Sequence, residues 1–271
     1  MAAPLDPALD ARIDGETRVV ALLGHPVSHS LSPRMQNAAF RHLGLNWAYV
    51  ALDVEPSRVR AAVLGLAGLG FAGANVTIPH KSAVIPFCDE VDPEALRAQS
   101  VNTLVVRDGR ILGSSTDGLA VTRGVRAAGE RALVLGAGGA AKAAAVALAE
   151  AGAEVVVSAR RAEQAEALAA LCGGGTTAWP PRADGYGILL NTTPVKDTVA
   201  VAPAGAAQQV VDMAYNRDGT PTALVAAARA AGCTTVVDGA DILAAQGAVS
   251  FERWTGREAP FTVMRAALDL A

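Results

Sequence analysis

Short β-rich apolar runs alternate with longer amphipathic stretches along the first 115 residues of the chain. The apolar runs are predicted to be strands, at 18–24, 46–54 and 73–78. The stretches between them carry helix start and stop signals, with Ser32 as a predicted N-cap, and are predicted to be helices, at 32–44 and 56–70. This alternation of strand and helix is typical of a mainly parallel sheet.

Three further elements are predicted before the first half ends. Pro79 is predicted to open a short helix that carries Lys81. A helix is predicted near 93–98, and the run 100–113 predicts a hairpin around Asp108-Gly109.

The pattern restarts after a predicted linking helix at 116–130. The segment "RALVLGAGGAAKAAAVALAEAGAEVVVSARR" predicts a strand, a glycine turn, an alanine-rich helix and a second strand. Further strands are predicted at 185–193, 208–215 and 234–239. The last thirty residues predict two helices separated by "TGREAP". The fold class is therefore predicted to be α/β, with two domains.

Composition narrows the class of protein. The net charge is −3 and the basic residues are scattered, which argues against binding to nucleic acid. No apolar run approaches the ~18 residues of a membrane span. The three cysteines are far apart and favour neither disulfides nor zinc, and the four histidines have no metal spacing, so no metal is expected. The acidic start resembles no secretory signal, so residues 1–17 are predicted to be a poorly ordered lead-in and the protein to be cytoplasmic.

The glycine turn predicts a dinucleotide site. Gly136, Gly138 and Ala141 have the G-x-G-x-x-[G/A] spacing, after an apolar strand and at the start of a helix. Glycine at the first two positions allows a tight turn and close approach of a pyrophosphate to the backbone, and the free amides of the helix start bind the anion. A merely tight strand-to-helix turn is the alternative.

The end of the next strand favours NADP over NAD. A site for NAD would carry an acidic residue there, on the ribose hydroxyl. The sequence has Arg160 and Arg161 instead, whose charge and planar groups suit a 2′-phosphate. Two exposed arginines at the start of a helix are the alternative.

Four polar fragments in the first half are not required by packing: "GHPVSHSLSP", "NVTIPHK", "SVNTL" and "STDG". Their candidate residues are expected near the carboxyl ends of strands, where ligands bind in open α/β sheets. Lys81 and Asp117 stand out, because a lysine beside a carboxylate can move a proton during reduction of a ketone. An arginine could not release that proton.

Together these fragments resemble the shikimate dehydrogenase family, from Gly24 to Leu270. The resemblance implies an N-terminal, mainly parallel α/β substrate domain and a Rossmann dinucleotide-binding domain, with a deep cleft between them. The substrate domain would comprise 18–117 plus 240–271, since the penultimate helix folds back, and the NADP-binding domain would comprise 118–239. Trp47 and Trp254 are expected to be core or domain-contact residues.

The resemblance also implies roles for individual residues. Lys81 and Asp117 would be the catalytic pair, and Ser28 and Ser30 would hold the substrate carboxylate. Further substrate contacts would come from Asn75, Thr77, Asn102, Tyr215 and Gln246. NADP would be bound by Gly136, Ala137, Gly138, Gly139, Ala140, Arg160, Arg161, Thr192, Met213 and Gly239.

The activity implied is the reversible, NADP-dependent reduction of 3-dehydroshikimate to shikimate, in the aromatic amino-acid (chorismate) pathway, by a monomer or homodimer. The sequence departs from the family pattern at Ser115, at Ala159 and at Lys196. Two alternatives stay open: a quinate or aminoshikimate dehydrogenase of the same fold, and a non-catalytic sensor of shikimate or dinucleotide. A sensor would need neither Lys81 nor Asp117.

Overall fold

A computed structural model of the chain describes residues 13–269, which contain two six-stranded sheets that follow one another in sequence. The strands of the first sheet are β1 (Arg18–Gly24), β2 (Trp47–Asp53), β3 (Gly73–Val76), β4 (Glu90–Val91), β5 (Thr103–Arg107) and β6 (Arg110–Ser114). Their order is β2-β1-β3-β5-β6-β4. β1 pairs in parallel with β2 and β3, and the predicted hairpin, β5 and β6, supplies the antiparallel pairs.

Helices cover both faces of this sheet: α1 (Ser32–His42), α2 (Val59–Gly68) and α3 (Pro93–Arg97). Successive side chains of β1 point to opposite faces, as the period of a strand requires. Val20 and Leu22 pack in one buried cluster with Met35 of α1, whereas Leu23 packs in another with Val63 of α2. The first sheet is thus the middle of three layers.

The second sheet is entirely parallel in the pairs that the structure describes. Its strands are β7 (Arg131–Leu135), β8 (Glu154–Ser158), β9 (Gly175–Thr176), β10 (Ile188–Asn191), β11 (Gln209–Asp212) and β12 (Thr235–Val237), in the order β12-β11-β10-β7-β8-β9. Its helices are α4 (Asp117–Gly124), α5 (Gly139–Glu150), α6 (Ala162–Cys172) and α7 (Ala223–Ala230). This is the doubly wound arrangement that the restarted pattern predicted.

The last two helices return to the first sheet. In α8 (Gly239–Thr255) and α9 (Phe261–Asp269), Phe251, Trp254 and Met264 join the cluster around Val20. The indole Nε1 of Trp254 donates to the carbonyl of Leu104 at 2.9 Å. This packing places Trp254 in the core, as expected. The division of the chain at 118 and 239 stays a prediction.

The segment after β3 differs from the prediction. No helix starts at Pro79: Lys81 lies in a run of turns, followed by a short 3₁₀ helix at Ile85–Phe87. The carbonyl of Lys81 accepts from the backbone N–H of Val101 at 2.8 Å, so it is not available to a residue four positions on. The N–H of Ile85, four residues after Lys81, donates to the carbonyl of Ser82 at 3.4 Å, as in a tighter turn than an α-helix.

Two other boundaries differ. The linking helix, predicted at 116–130, ends at Gly124, because Val125 is extended and the N–H of Arg126 donates to the side chain of Gln209. Part of the predicted lead-in, residues 1–12, lies outside the described residues. The remainder, 13–17, is ordered by a turn in which Thr17 Oγ1 donates to Asn46 at 2.7 Å, contrary to the prediction. Within 13–269, no helix is long and apolar enough to cross a membrane.

Candidate active site

A cleft of about 390 Å³ opens where the carboxyl ends of β1 and β3 face the second sheet and the start of α8. Residues from both halves of the chain line this cleft, and many of their side chains are polar. Those that the sequence predicted are Ser30, Asn75, Thr77, Lys81, Asn102, Asp117, Ala140, Thr192, Met213, Tyr215, Gly239 and Gln246. Residues separated by more than 200 positions in the chain therefore meet in one cavity.

Lys81 and Asp117 form an ion pair in this cleft. The Lys81 ammonium donates to Asp117 Oδ2 at 2.5 Å, and the side chains are only 12% and 5% exposed. Asp117 is the first residue of α4, where the positive end of the helix dipole favours a carboxylate. Its other oxygen, Oδ1, accepts from Asn102 Nδ2 at 2.9 Å. The pair is thus held at the cleft with each carboxylate oxygen bound separately.

Asn75 and Asn102 lie deeper, and other protein groups make most of the hydrogen bonds of their side chains. Asn75 is in β3, and its Nδ2 donates to the carbonyl of Asn102 at 3.0 Å. Asn102 lies one residue before β5, and its Nδ2 is also 3.3 Å from Gln246 Oε1 on α8. Thr77 follows the end of β3, so it lines the same edge of the sheet. Amide and hydroxyl groups of this kind suit a substrate rich in hydroxyls.

The serine loop differs from the prediction in which two of its serines line the cleft. Ser28 is exposed and is not among the residues that line the cleft, whereas Ser30 and Ser32 both line it. Ser32 is only 5% exposed, and it is the first residue of α1 rather than its N-cap, which is Leu31. The Ser32 hydroxyl is therefore not used as a helix cap. The two serines that line the cleft are Ser30 and Ser32, and Ser28 lies outside that lining.

The sequence also carries a pattern that marks Ser32 as a candidate binding residue. The S-x-S spacing occurs twice in "SHSLS", as Ser28-His29-Ser30 and as Ser30-Leu31-Ser32. The following Pro33 made Ser32 look like a helix cap. Lys196 and Arg217, which also line the cleft, carry no sequence pattern that would have indicated it.

Tyr215 approaches the serine loop from the second half of the chain. Burial raises the pKa of its phenol, and its hydroxyl lies by Ser30 and the backbone of Leu31. The neutral phenol is therefore a hydrogen-bond donor beside the two serines. Asp212, fully buried at the end of β11, holds the loop before Tyr215 because its Oδ1 accepts from the N–H of Ala214 at 3.0 Å.

The glycine turn joins β7 to α5 and faces the cleft. Gly136 has a φ of 108°, and a Cβ there would lie 2.6 Å from Thr192 Oγ1, so only glycine fits. Gly138 is the N-cap of α5, and a Cβ there would meet nothing within 4 Å, which leaves open space at the helix start. At Gly139 a Cβ would lie 3.0 Å from the Cβ of Lys81. The turn thus combines an open, amide-rich helix start with close approach of the Gly139 backbone to the aliphatic part of the Lys81 side chain.

Arg160 and Arg161 lie apart from the cleft, just after β8. Both are exposed, and neither is in a salt bridge among residues 13–269. They stand at the carboxyl end of the strand next to β7, where a dinucleotide bound at the turn would extend its ribose. The open turn and these two cations fit an NADP molecule.

Fold and site define a class: a two-sheet α/β protein with a dinucleotide turn and a buried lysine–aspartate pair in one cleft. Two family models match the chain: the shikimate dehydrogenase substrate binding domain at residues 22–104, and the shikimate 5′-dehydrogenase C-terminal domain at 239–268. The NADP(+) shikimate dehydrogenase of Moorella thermoacetica is 45% identical, over 95% of this chain and 94% of that protein. The chain belongs to the shikimate dehydrogenase family.

Solved structures agree in fold. The shikimate 5-dehydrogenase of Thermus thermophilus, in complex with NADP(H) and shikimate, is 36% identical with a TM-score of 0.82, covering 93% of this chain and 98% of that one. The ligand-free 5-ketofructose reductase of a Gluconobacter species is 31% identical with a TM-score of 0.85, covering 94% and 99%. The fold thus occurs in proteins named for different substrates.

Proposed function

We propose that this protein is an NADP-dependent shikimate dehydrogenase that catalyses the reversible reduction of 3-dehydroshikimate to shikimate, a step in aromatic amino-acid synthesis. The observation that carries the proposal is the buried Lys81–Asp117 pair, with Gly139 of the glycine turn close to the Lys81 side chain. The similarity to NADP(+) shikimate dehydrogenases over nearly the whole chain supports it.

The cleft residues take complementary roles in this proposal. Ser30 and Ser32 donate to the substrate carboxylate, which accepts up to about four hydrogen bonds. The ring hydroxyls are bound by polar groups from β3, β5 and the second half of the chain, namely Asn75, Thr77, Asn102, Tyr215 and Gln246. A site that pairs each hydroxyl discriminates against an analogue that misplaces one, because buried groups are then left unpaired.

The cofactor is proposed to bind across the second sheet. The amides of Gly136, Ala137, Gly138, Gly139 and Ala140, at the positive end of α5, would hold its pyrophosphate. Arg160 and Arg161 bind the 2′-phosphate. Thr192, Met213 and Gly239 surround the nicotinamide end, since all three line the cleft. When bound, NADP accepts or returns a hydride.

Lys81 handles the proton that accompanies the hydride. In reduction, its ammonium protonates the oxygen of the former ketone as that oxygen gains charge, and in oxidation the neutral amine removes the hydroxyl proton. Asp117 holds the lysine in place at 2.5 Å and stabilises its charged form. Lysine is required because an arginine does not release its proton in a protein.

The substrate is tested most directly by absorbance of the reduced nicotinamide. Shikimate and quinate are each supplied with NADP and with NAD, and 5-ketofructose is supplied with NADPH. We expect kcat/KM for shikimate with NADP to exceed that for quinate by ~100-fold or more. Equal turnover of quinate, or faster reduction of 5-ketofructose, would contradict the assigned substrate, and no turnover with any of them would favour a sensor.

The setting of the reaction is also proposed. The three cysteines are all free thiols, Cys88, Cys172 and Cys233, as is usual in a reducing compartment. We therefore place the enzyme in the cytoplasm. A monomer or homodimer is proposed from the family resemblance alone.

A further inference from the structure

Three hydroxyl side chains form a buried layer behind the cleft without lining it: Tyr49 of β2, Thr103 of β5 and Ser250 of α8. Thr103 and Ser250 have no exposed surface, and Tyr49 is 2% exposed. A buried hydroxyl without a hydrogen-bond partner is destabilising, so the partners of these groups determine their orientation. All three are hydrogen-bonded to one another or to Asn75 and Asn102.

Backbone groups fix the orientation of both asparagine amides. Asn102 Oδ1 accepts from the backbone N–H of Thr116 at 2.8 Å, so its Nδ2 is the group that faces Asp117. Asn75 Nδ2 donates to a backbone carbonyl, so its Oδ1 accepts from the Tyr49 hydroxyl at 2.9 Å. Burial raises the pKa of Tyr49 well above its usual range, which keeps this phenol a donor.

The two remaining hydroxyls join the asparagines. Asn75 Nδ2 donates to Ser250 Oγ at 3.0 Å, and Thr103 Oγ1 donates to Asn102 Oδ1 at 3.0 Å. The oxygens of Ser250 and Thr103 are 2.8 Å apart, and each hydroxyl has one proton. Ser250 Oγ also donates to the carbonyl of Gln246 at 3.1 Å, so this carbonyl competes with Thr103 for its one proton. Together these bonds connect Tyr49 to Asp117 through the two asparagines, and connected hydrogen bonds polarise one another.

We propose that Thr103 and Ser250 are positioning residues for the Lys81–Asp117 pair. The Thr103 hydroxyl and the Thr116 N–H together hold Asn102 Oδ1, so that Nδ2 meets the carboxylate of Asp117. An inverted or displaced amide would set an oxygen against that carboxylate and disturb the position of Asp117 opposite Lys81. The inference rests on the proposed function, since it concerns how that reaction is positioned.

Two substitutions at Thr103 separate the hydroxyl from the shape of the side chain. Thr103→Val keeps the branched shape and removes the donor, whereas Thr103→Ser keeps the donor and removes a methyl group. We expect Thr103→Val to lower kcat by about tenfold, as the loss of one hydrogen bond at the pair would, with KM for NADP within about twofold. Thr103→Ser should restore kcat to within about twofold of the wild type.

A matched control is Thr122→Val, because the Thr122 hydroxyl donates to the carbonyl of Gly118 inside α4, away from the asparagines. It should leave kcat unchanged. If both Thr103 variants lose kcat equally, or Thr103→Val keeps it, the positioning role is overturned. If Thr103→Val does not fold, Ser250→Ala removes the hydroxyl that contacts both Thr103 and Asn75, and an unchanged kcat in that variant would equally overturn the role. Absence of shikimate turnover in the wild type would instead overturn the proposed function together with this inference.

Discussion

At the scale of single residues, the serine loop shows how one position can be given two interpretations. Ser32 precedes Pro33 and suggests a helix cap, but the structure uses Leu31 as the cap and leaves Ser32 beside the cleft. Local sequence signals did not distinguish the two uses, because both need a small hydroxyl residue in the same place. Burial, which depends on the rest of the fold, decides between Ser28 and Ser32.

The different positions of Ser28 and Ser32 allow a paired test of which serine binds the substrate carboxylate. Ser32→Ala should raise KM for shikimate by ~10-fold or more with little change in kcat, because a hydrogen bond to a charged group contributes ~1.5–3 kcal/mol in ground and transition states alike. Alanine is a good helix former, so α1 should persist. Ser28→Ala is the matched control and should leave KM unchanged. The reverse pattern in steady-state kinetics would restore Ser28 to the carboxylate site.

At the scale of elements, the glycine turn was predictable and the Lys81 segment was not. The strand, turn and helix around Gly136 are encoded within about 30 contiguous residues, which is a typical βαβ unit. The helix expected after Pro79 depended on local signals alone. It is absent because the Lys81 carbonyl bonds to Val101, a partner twenty residues away that only the sheet brings near. The local pattern around Pro79 carries no sign of this distant partner.

The arginines that follow β8 are proposed to set the preference for NADP over NAD. Arg160→Ala should weaken NADP binding by ~1.5–3 kcal/mol, the range for hydrogen bonds to a charged group, while NAD binding changes little. Titration of each cofactor against the variant checks this. Arg182→Ala is the control, since Arg182 is 90% exposed and pairs with Asp184. An equal loss for both cofactors would mean that Arg160 supports the fold rather than the 2′-phosphate.

At the scale of the whole molecule, the site exists because two sheets and a returning helix meet. Asp117 starts the helix that links the sheets, Gly139 starts the helix of the dinucleotide turn, and Gln246 arrives on α8. Alternating strand and helix patterns predicted both sheets. That these elements meet in one cleft was predicted only from the resemblance to a family. The hydrophobic patterns did not predict it, because no local signal specifies how two domains face each other.

The central claim is that Lys81 moves a proton rather than merely supplying charge. The direct measurement is kcat for shikimate oxidation with NADP in Lys81→Arg, which keeps a cation opposite Asp117 but cannot release its proton. The account predicts a fall of ~10²–10⁴-fold, the usual contribution of general acid–base catalysis. Lys142→Arg, the same change at a lysine that contacts Gln99, should leave kcat unchanged. A Lys81→Arg variant whose kcat stays within about tenfold of the wild type would contradict the account.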